Sequence, residues 1–182
     1  MAKRVSRVVS PGNGTRANAR ACADVAAHDG GMNTRATNSR VLPAIFVGGC
    51  IAATLDILMA MFTFSWRVPR AIAGGFLGPG VFQSESMVIW TFGLVTHFAI
   101  LCVAAALYYA ASRRLVFLRQ YALICGLFYG IAIWLVMNLV VLPLSALHNT
   151  GPYTYAGLTQ GLLVHMVLVG LPISFSVKKF AP

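Results

Sequence analysis

The stretch MVIWTFGLVTHFAILCVAAALYY, residues 87–109, contains no Asp, Glu, Lys or Arg. A helix of about 20 apolar residues crosses a hydrocarbon core of ~30 Å, so this stretch is long enough to span a bilayer. Three further runs resemble it in length and composition. Together they predict four spans, at about residues 44–64, 87–109, 121–142 and 157–175. We therefore expect an all-α integral membrane protein, a bundle of four transmembrane helices.

The overall composition points to the same class. The chain is 58% hydrophobic and only 10% charged, which is too apolar for an ordinary soluble domain. Short connections between the spans leave room for one membrane domain, at residues 41–179. The net charge of +10 comes from basic residues that flank the spans, where they meet lipid headgroups. We expect the lipid bilayer as a partner and no nucleic acid, and leave open a homo-oligomer or a membrane-complex partner.

The basic residues also predict the orientation of the spans. Twelve Lys and Arg side chains lie in segments on the same side as the two termini, and two lie on the opposite side. Cytoplasmic segments of membrane proteins carry the excess of Lys and Arg. Both termini are therefore predicted to be cytoplasmic.

The first 40 residues differ in kind from the rest of the chain. They are rich in Arg, Ala, Asn and Gly and show no helical periodicity, which predicts a disordered basic tail. A compact polar lead begins at Met32, shortly before the first span. We keep a translation start at Met32 as an alternative.

Each span carries one strongly polar residue within its apolar run: Asp56, His97, Asn138 and His165. An aspartate at the centre of a spanning helix opposes insertion by roughly 2.5 to 3.5 kcal/mol, so a partner on a neighbouring helix is expected. At a rise of 1.5 Å per residue, Asp56 and His165 lie about 12 Å from the outer ends of their spans and His97 about 15 Å. The shared depth predicts a polar cluster, which we take as the candidate site.

The two halves of the chain share a short pattern. The sequence GLVTH at residues 93–97 recurs as GLLVH at residues 161–165, and a glycine lies eight residues before both Asp56 and Asn138. This pattern predicts a parallel 2+2 repeat, with the halves related by an axis along the membrane normal.

Three functions are compatible with the polar cluster. Polar side chains in membrane helices commonly form interhelical hydrogen bonds worth ~0.6 kcal/mol, which favours a structural or accessory membrane protein. The first alternative is a small transporter or proton-coupled carrier that uses Asp56 with the histidines. The second is a membrane redox protein with b-type haem or a metal bound by His97 and His165. No cofactor is predicted, although haem or a divalent metal stays open. No catalytic residue stands out, which favours a protein without enzyme activity.

Two features between and within the spans carry further predictions. The loop at residues 67–86 is apolar and rich in glycine, which favours a short helix at the membrane surface over a re-entrant turn. Glu85 precedes the second span and is predicted to cap that helix and to interact with its dipole. Pro143 and Pro172 are expected to end or bend the third and fourth spans.

Three segments carry a resemblance to known proteins: residues 49–60 with Asp56, residues 96–100 with His97, and residues 129–144 with an Asn-x4-Pro pattern. Together they resemble an uncharacterised group of small four-span bacterial inner-membrane proteins. The resemblance covers Leu42 to Lys179. It implies a multi-pass protein of the bacterial inner (plasma) membrane with a four-helix fold, and it supplies no reaction.

Overall fold

The computed structural model describes residues 41–148 and 154–180, in which every regular element is helical. These elements are α1 (Val41–Phe64), α2 (Val68–Leu77), α3 (Met87–Arg114), α4 (Phe117–Gln120), α5 (Ala122–Leu144) and α6 (Tyr155–Phe180), with a 3₁₀ turn at Pro79–Gln83. Helices α1, α3, α5 and α6 are long and apolar enough to cross a membrane, which confirms the predicted number of spans. They indicate a multi-pass membrane protein. The predicted tail and the alternative start at Met32 lie outside the described residues.

The helix ends extend beyond the apolar runs because local signals set them. Ser86 caps α3 by accepting a hydrogen bond from Val88 N at 3.3 Å, and Thr154 caps α6 by accepting one from Gly157 N at 3.2 Å. At their other ends both helices continue through basic residues, which the negative end of the helix dipole favours. These residues are Arg113, Arg114, Lys178 and Lys179.

Two spans contain a π-helical turn shortly before a proline. The turn at Met137–Val141 precedes Pro143 in α5, and the turn at His165–Gly170 precedes Pro172 in α6. Proline donates no backbone hydrogen bond and its ring presses on the carbonyl four residues earlier, so a wider turn relieves the crowding. Helix α5 ends one residue after Pro143, as predicted, whereas α6 continues for eight residues after Pro172.

Small residues allow the spans to approach closely. A Cβ atom added to Gly170 would strike Gly126 O, and one added to Gly130 would strike His165 O, so α5 and α6 touch backbone to backbone. The buried apolar core lies mainly between α1, α3 and α6. It consists of Ala52, Ala53, Leu101, Ala104, Ala105, Tyr108, Val169, Ile173 and Val177.

The glycines that begin the repeated sequence pattern have different surroundings. Gly93 in α3 lies against the carbonyl oxygen of Pro69 in α2, where a Cβ atom would clash. A Cβ atom on Gly161 in α6 would instead lie 2.7 Å from Nε1 of Trp134 in α5. The matched positions therefore contact different elements, and the 2+2 repeat stays a prediction from the sequence.

The loop between the first two spans contains a helix, as expected. Helix α2 packs on α3 at Gly93, and Gly75 O on α2 accepts a hydrogen bond of 2.8 Å from Ala146 N in the segment after α5. Trp66 stacks on Trp90 with ring centroids 4.6 Å apart. These contacts attach α2 to one end of the spans, which we call the α2 side. We call the other end, where α4 lies, the α4 side.

Candidate functional site

Asp56 on α1 and His97 on α3 lie side by side. Nε2 of His97 is 3.6 Å from Oδ2 of Asp56 and 3.3 Å from the carbonyl oxygen of Ala53. The helices can approach this closely because α1 presents small residues to α3; at Gly49 a Cβ atom would lie 2.8 Å from Cys102 Cα. Asp56 and His97 are 9% and 8% exposed. The sequence prediction placed these two side chains at a common depth, and the structure brings them together.

The neighbours of Nε2 determine where its proton lies. Ala53 O can only accept a hydrogen bond, and an ionised Asp56 can only accept as well, so Nε2 must carry hydrogen. His97 is then either the neutral Nε2–H tautomer or an imidazolium. The separation of 3.6 Å exceeds the ~2.7–2.9 Å of a charge-assisted hydrogen bond, so Asp56 acts on the ring mainly through its charge. The pair can therefore take up or release one proton without losing the bond to Ala53.

A cavity of about 110 Å³ lies between α1 and α6 and has Asp56 and His165 in its wall. Its volume is well below the ~300–1,000 Å³ of pockets for drug-sized ligands. At ~30 Å³ per water molecule it has room for about three waters. The remaining lining residues are Met59, Ala60, Thr63, Phe64, Gly157, Gln160, Gly161 and Val164.

The cavity reaches from the α2 side towards the middle of the membrane span. Asp56 lies eight residues from the end of α1 and His165 ten residues from the start of α6, which corresponds to depths of about 12 Å and 15 Å. Nearer the end of the helices, Gln160 Nε2 donates a hydrogen bond of 3.0 Å to Thr63 Oγ1 and joins α6 to α1. Thr63 and Gln160 therefore lie at the outer end of the cavity and Asp56 at its deeper end, and most of the wall is apolar.

His165 stands at the start of the π-helical turn in α6. Its Nδ1 lies 2.8 Å from Gly161 O, so Nδ1 carries hydrogen and, in the neutral ring, Nε2 holds the lone pair. His165 lines the cavity together with Asp56, and Asp56 lies beside His97. π-helical turns occur frequently at functional sites. The two histidines and Asp56 thus form one group at similar depth.

Asn138 forms a hydrogen bond within its own helix. Its Nδ2 donates a hydrogen bond of 2.9 Å to Trp134 O, four residues earlier in its own helix. The link to the cavity runs through Trp134, since Nε1 of that side chain packs against Gly161. The predicted role of Asn138 as a fourth member of the cluster stays a prediction.

The geometry gives no particular support to a metal or haem at these histidines. Within residues 41–148 and 154–180, no group of three or more His, Cys, Asp or Glu side chains is arranged to hold a metal ion. A haem between His97 and His165 would need a nitrogen of each ring directed at one iron, whereas Nε2 of His97 faces Asp56 and Ala53. The haem alternative stays untested.

An ion pair on the α2 side was missed by the sequence analysis. Arg70 on α2 is buried, and its Nη2 lies 2.6 Å from Glu85 Oε2. The hydrogen bond from Arg70 holds the pKa of Glu85 below its ordinary value, and the same bond raises the pKa of Arg70. Ser86 provides the cap of α3, so the predicted capping role of Glu85 belongs to its neighbour. Two charges 15 residues apart in a loop give no periodic signal by which sequence could have paired them.

The fold and the site define a class: a multi-pass helical membrane protein with a buried carboxylate–imidazole pair beside a small cavity. No family model matches the chain, and neither a curated protein nor a solved structure matches it. The resemblance to small bacterial inner-membrane proteins therefore stays a prediction from the three sequence segments.

Proposed function

We propose that this protein is a small membrane carrier that binds protons at Asp56, either alone or coupled to a solute of a few atoms. The proposal rests on one observation: Asp56 lies beside His97 and also forms part of the wall of the cavity. A carboxylate with a purely structural role is expected to be enclosed together with its partner, away from any cavity. Ionisable residues inside membrane spans are expensive, and those facing cavities commonly mark ion or proton paths.

The chemistry follows from the groups around the cavity. Water in the cavity can deliver a proton to Asp56, and the pair with His97 then carries one positive charge more than before. Nε2 of His165 can accept a hydrogen bond from that water. The hydrogen bond between Gln160 and Thr63 joins α1 to α6 at the entrance, so it is the contact that must break for a larger opening. The volume of about 110 Å³ restricts any co-transported solute to a few heavy atoms.

Orientation and location belong to the same proposal. Among the described residues, five Lys and Arg side chains lie on the α4 side and two on the α2 side, which supports a four-helix bundle with both termini in the cytoplasm. The cavity would then open towards the outside of the cell. The resemblance stated above supports the bacterial inner membrane as the location.

Proton uptake by reconstituted protein tests the proposal. The full chain is placed in liposomes that contain a pH-sensitive dye, a pH gradient is imposed with valinomycin and potassium present, and the initial rate is compared with that of empty liposomes. Asp56→Asn should abolish the protein-dependent rate because the amide cannot take up the proton. Glu85→Gln is the matched control, since it removes a carboxylate outside the cavity. A wild-type rate equal to that of empty liposomes, or an unchanged rate in Asp56→Asn, would contradict the proposal.

A structural role is the competing function, and one contact favours it. Nε2 of His97 is 3.3 Å from Ala53 O and so ties α3 to α1 whatever the charge on Asp56. If the pair serves only to join α3 to α1 through this contact, Asp56→Asn should change neither the rate of proton flux nor the free energy of unfolding. The same variant therefore separates the two functions.

A further inference from the structure

A groove separate from the cavity lies between α1 and α6 on the α4 side, and it plays no part in the proposed proton site. Its volume is about 400 Å³, which falls within the range of sites for small organic molecules. Its walls are almost entirely aliphatic and aromatic. They include Val47 and Ile51 from α1 and Val167, Leu171 and Phe175 from α6.

One end of the groove is basic. Among residues 41–148 and 154–180, Lys179 is the only charged residue in the lining, and its Nζ lies 5.6 Å from the centroid of the Phe180 ring. The one other polar side chain in the lining, Ser176, already donates its hydroxyl to Ala44 O at 2.9 Å. Lys178 lies in the same helix but does not line the groove. A ligand of this groove therefore meets hydrocarbon along its length and a single ammonium group at the end.

The length of the groove matches one leaflet of a bilayer. Val167 and Lys179 are twelve residues apart, which corresponds to about 18 Å along α6. Half of a ~30 Å hydrocarbon core is about 15 Å. A fatty acyl chain that begins beside Lys179 would therefore end near Val167, close to the middle of the membrane.

We propose that this groove binds one anionic phospholipid, with an acyl chain along α1 and α6 and the phosphate beside Lys179. The apolar walls and the length select an acyl chain, and the ammonium group selects a negative headgroup. Basic pockets between spanning helices commonly bind anionic lipids. The proposal is independent of proton binding at Asp56, because the two sites lie in opposite halves of the spans and share no lining residue.

Native mass spectrometry of the delipidated full chain tests this site. Dissociation constants are measured for phosphatidylglycerol and for phosphatidylcholine with the same acyl chains. Phosphatidylglycerol should bind more tightly, and Lys179→Gln should weaken its binding about fivefold, which corresponds to ~1 kcal/mol for one basic residue near a headgroup. Lys178→Gln is the matched control: it removes the same charge one residue away, outside the groove, and should change binding less than twofold.

A second variant tests the acyl-chain half of the site. Val167 is exposed, so Val167→Trp fills the inner end of the groove without entering the core, and it should weaken the binding of both lipids. Equal affinity for the two lipids, or equal effects of Lys178→Gln and Lys179→Gln, would overturn the proposal. Formation of a dimer on removal of lipid that Val167→Trp abolishes would also overturn it, because a second copy would then be the occupant.

Discussion

Asp56 and His97 should be energetically coupled, and the coupling can be measured with Asp56→Asn, Asp56→Ala, His97→Asn and the corresponding double variants. At 3.6 Å and an effective dielectric constant of ~20, the attraction between unit charges is about 4.6 kcal/mol before desolvation. Because both side chains are buried, the cost of desolvating the two groups offsets most of that gain. We expect a coupling free energy of about 1–2 kcal/mol, within the usual range for residues in contact.

The two replacements of Asp56 should differ. Asparagine keeps a neutral oxygen near Nε2 of His97, whereas alanine leaves the imidazole with Ala53 O as its remaining partner. Asp56→Ala should therefore lower the free energy of unfolding more than Asp56→Asn does.

Reversible unfolding in mixed micelles or bicelles gives these free energies. The pair Glu85 and His97 serves as the control, since Glu85 is bonded to Arg70 on the α2 side and the two substitutions should be additive. A coupling between Asp56 and His97 within ~0.3 kcal/mol of zero would refute the electrostatic pairing on which the site is built.

Three further predictions concern packing, charge and orientation. Gly130→Leu should destabilise the fold by about 1–3 kcal/mol because its side chain meets the backbone of α6. Gly80→Ala adds a methyl group in open space and should be nearly neutral, and a thermal-shift assay compares the two variants. Glu85→Gln should lower the midpoint of unfolding at pH 7. Because the folded pKa of Glu85 is lowered, its contribution is present above the ordinary glutamate value and is lost as the pH falls through the folded value, so the variant and wild type should converge in acid. Alkaline phosphatase fused in the loop between α5 and α6 should be active and after α6 inactive; the reverse would overturn the topology.

The sequence could predict the spans because hydropathy over about 20 residues reports the thickness of the membrane directly. It placed the ends less well. The helix start at Tyr155 depends on the cap at Thr154, and the ends at Arg114 and Phe180 pass through charged residues that hydropathy reads as loop. Hydropathy does not reveal the π-helical turns. The proline that follows each turn is visible in the sequence, but it does not by itself predict a wider turn.

Part of the candidate site was also within reach of sequence reasoning. The cost of an unpaired carboxylate in hydrocarbon and the shared depth together pointed from Asp56 to His97 and His165, without choosing between the two histidines. The bonding of Asn138 could not be foreseen, because an asparagine in a helix can bond the carbonyl one turn earlier as readily as a neighbouring helix. The cavity is a space left between α1 and α6, and such a space has no signature in a sequence.

The π-helical turn at His165–Gly170 separates two α-helical parts of α6 and sets the rotation of one part relative to the other about the helix axis. Relative to a regular α-helix, the wide turn holds one extra residue, and one residue of an α-helix corresponds to a rotation of about 100°. If the turn closed to a regular α-helix with all of its residues kept, everything beyond Gly170 would therefore turn by that angle about the helix axis. Ile173 and Val177 would leave the core, and Lys179 would leave the end of its groove, while the cavity half of α6 kept its setting. The spacing in this turn thus acts as the angular register between the two halves of the membrane domain.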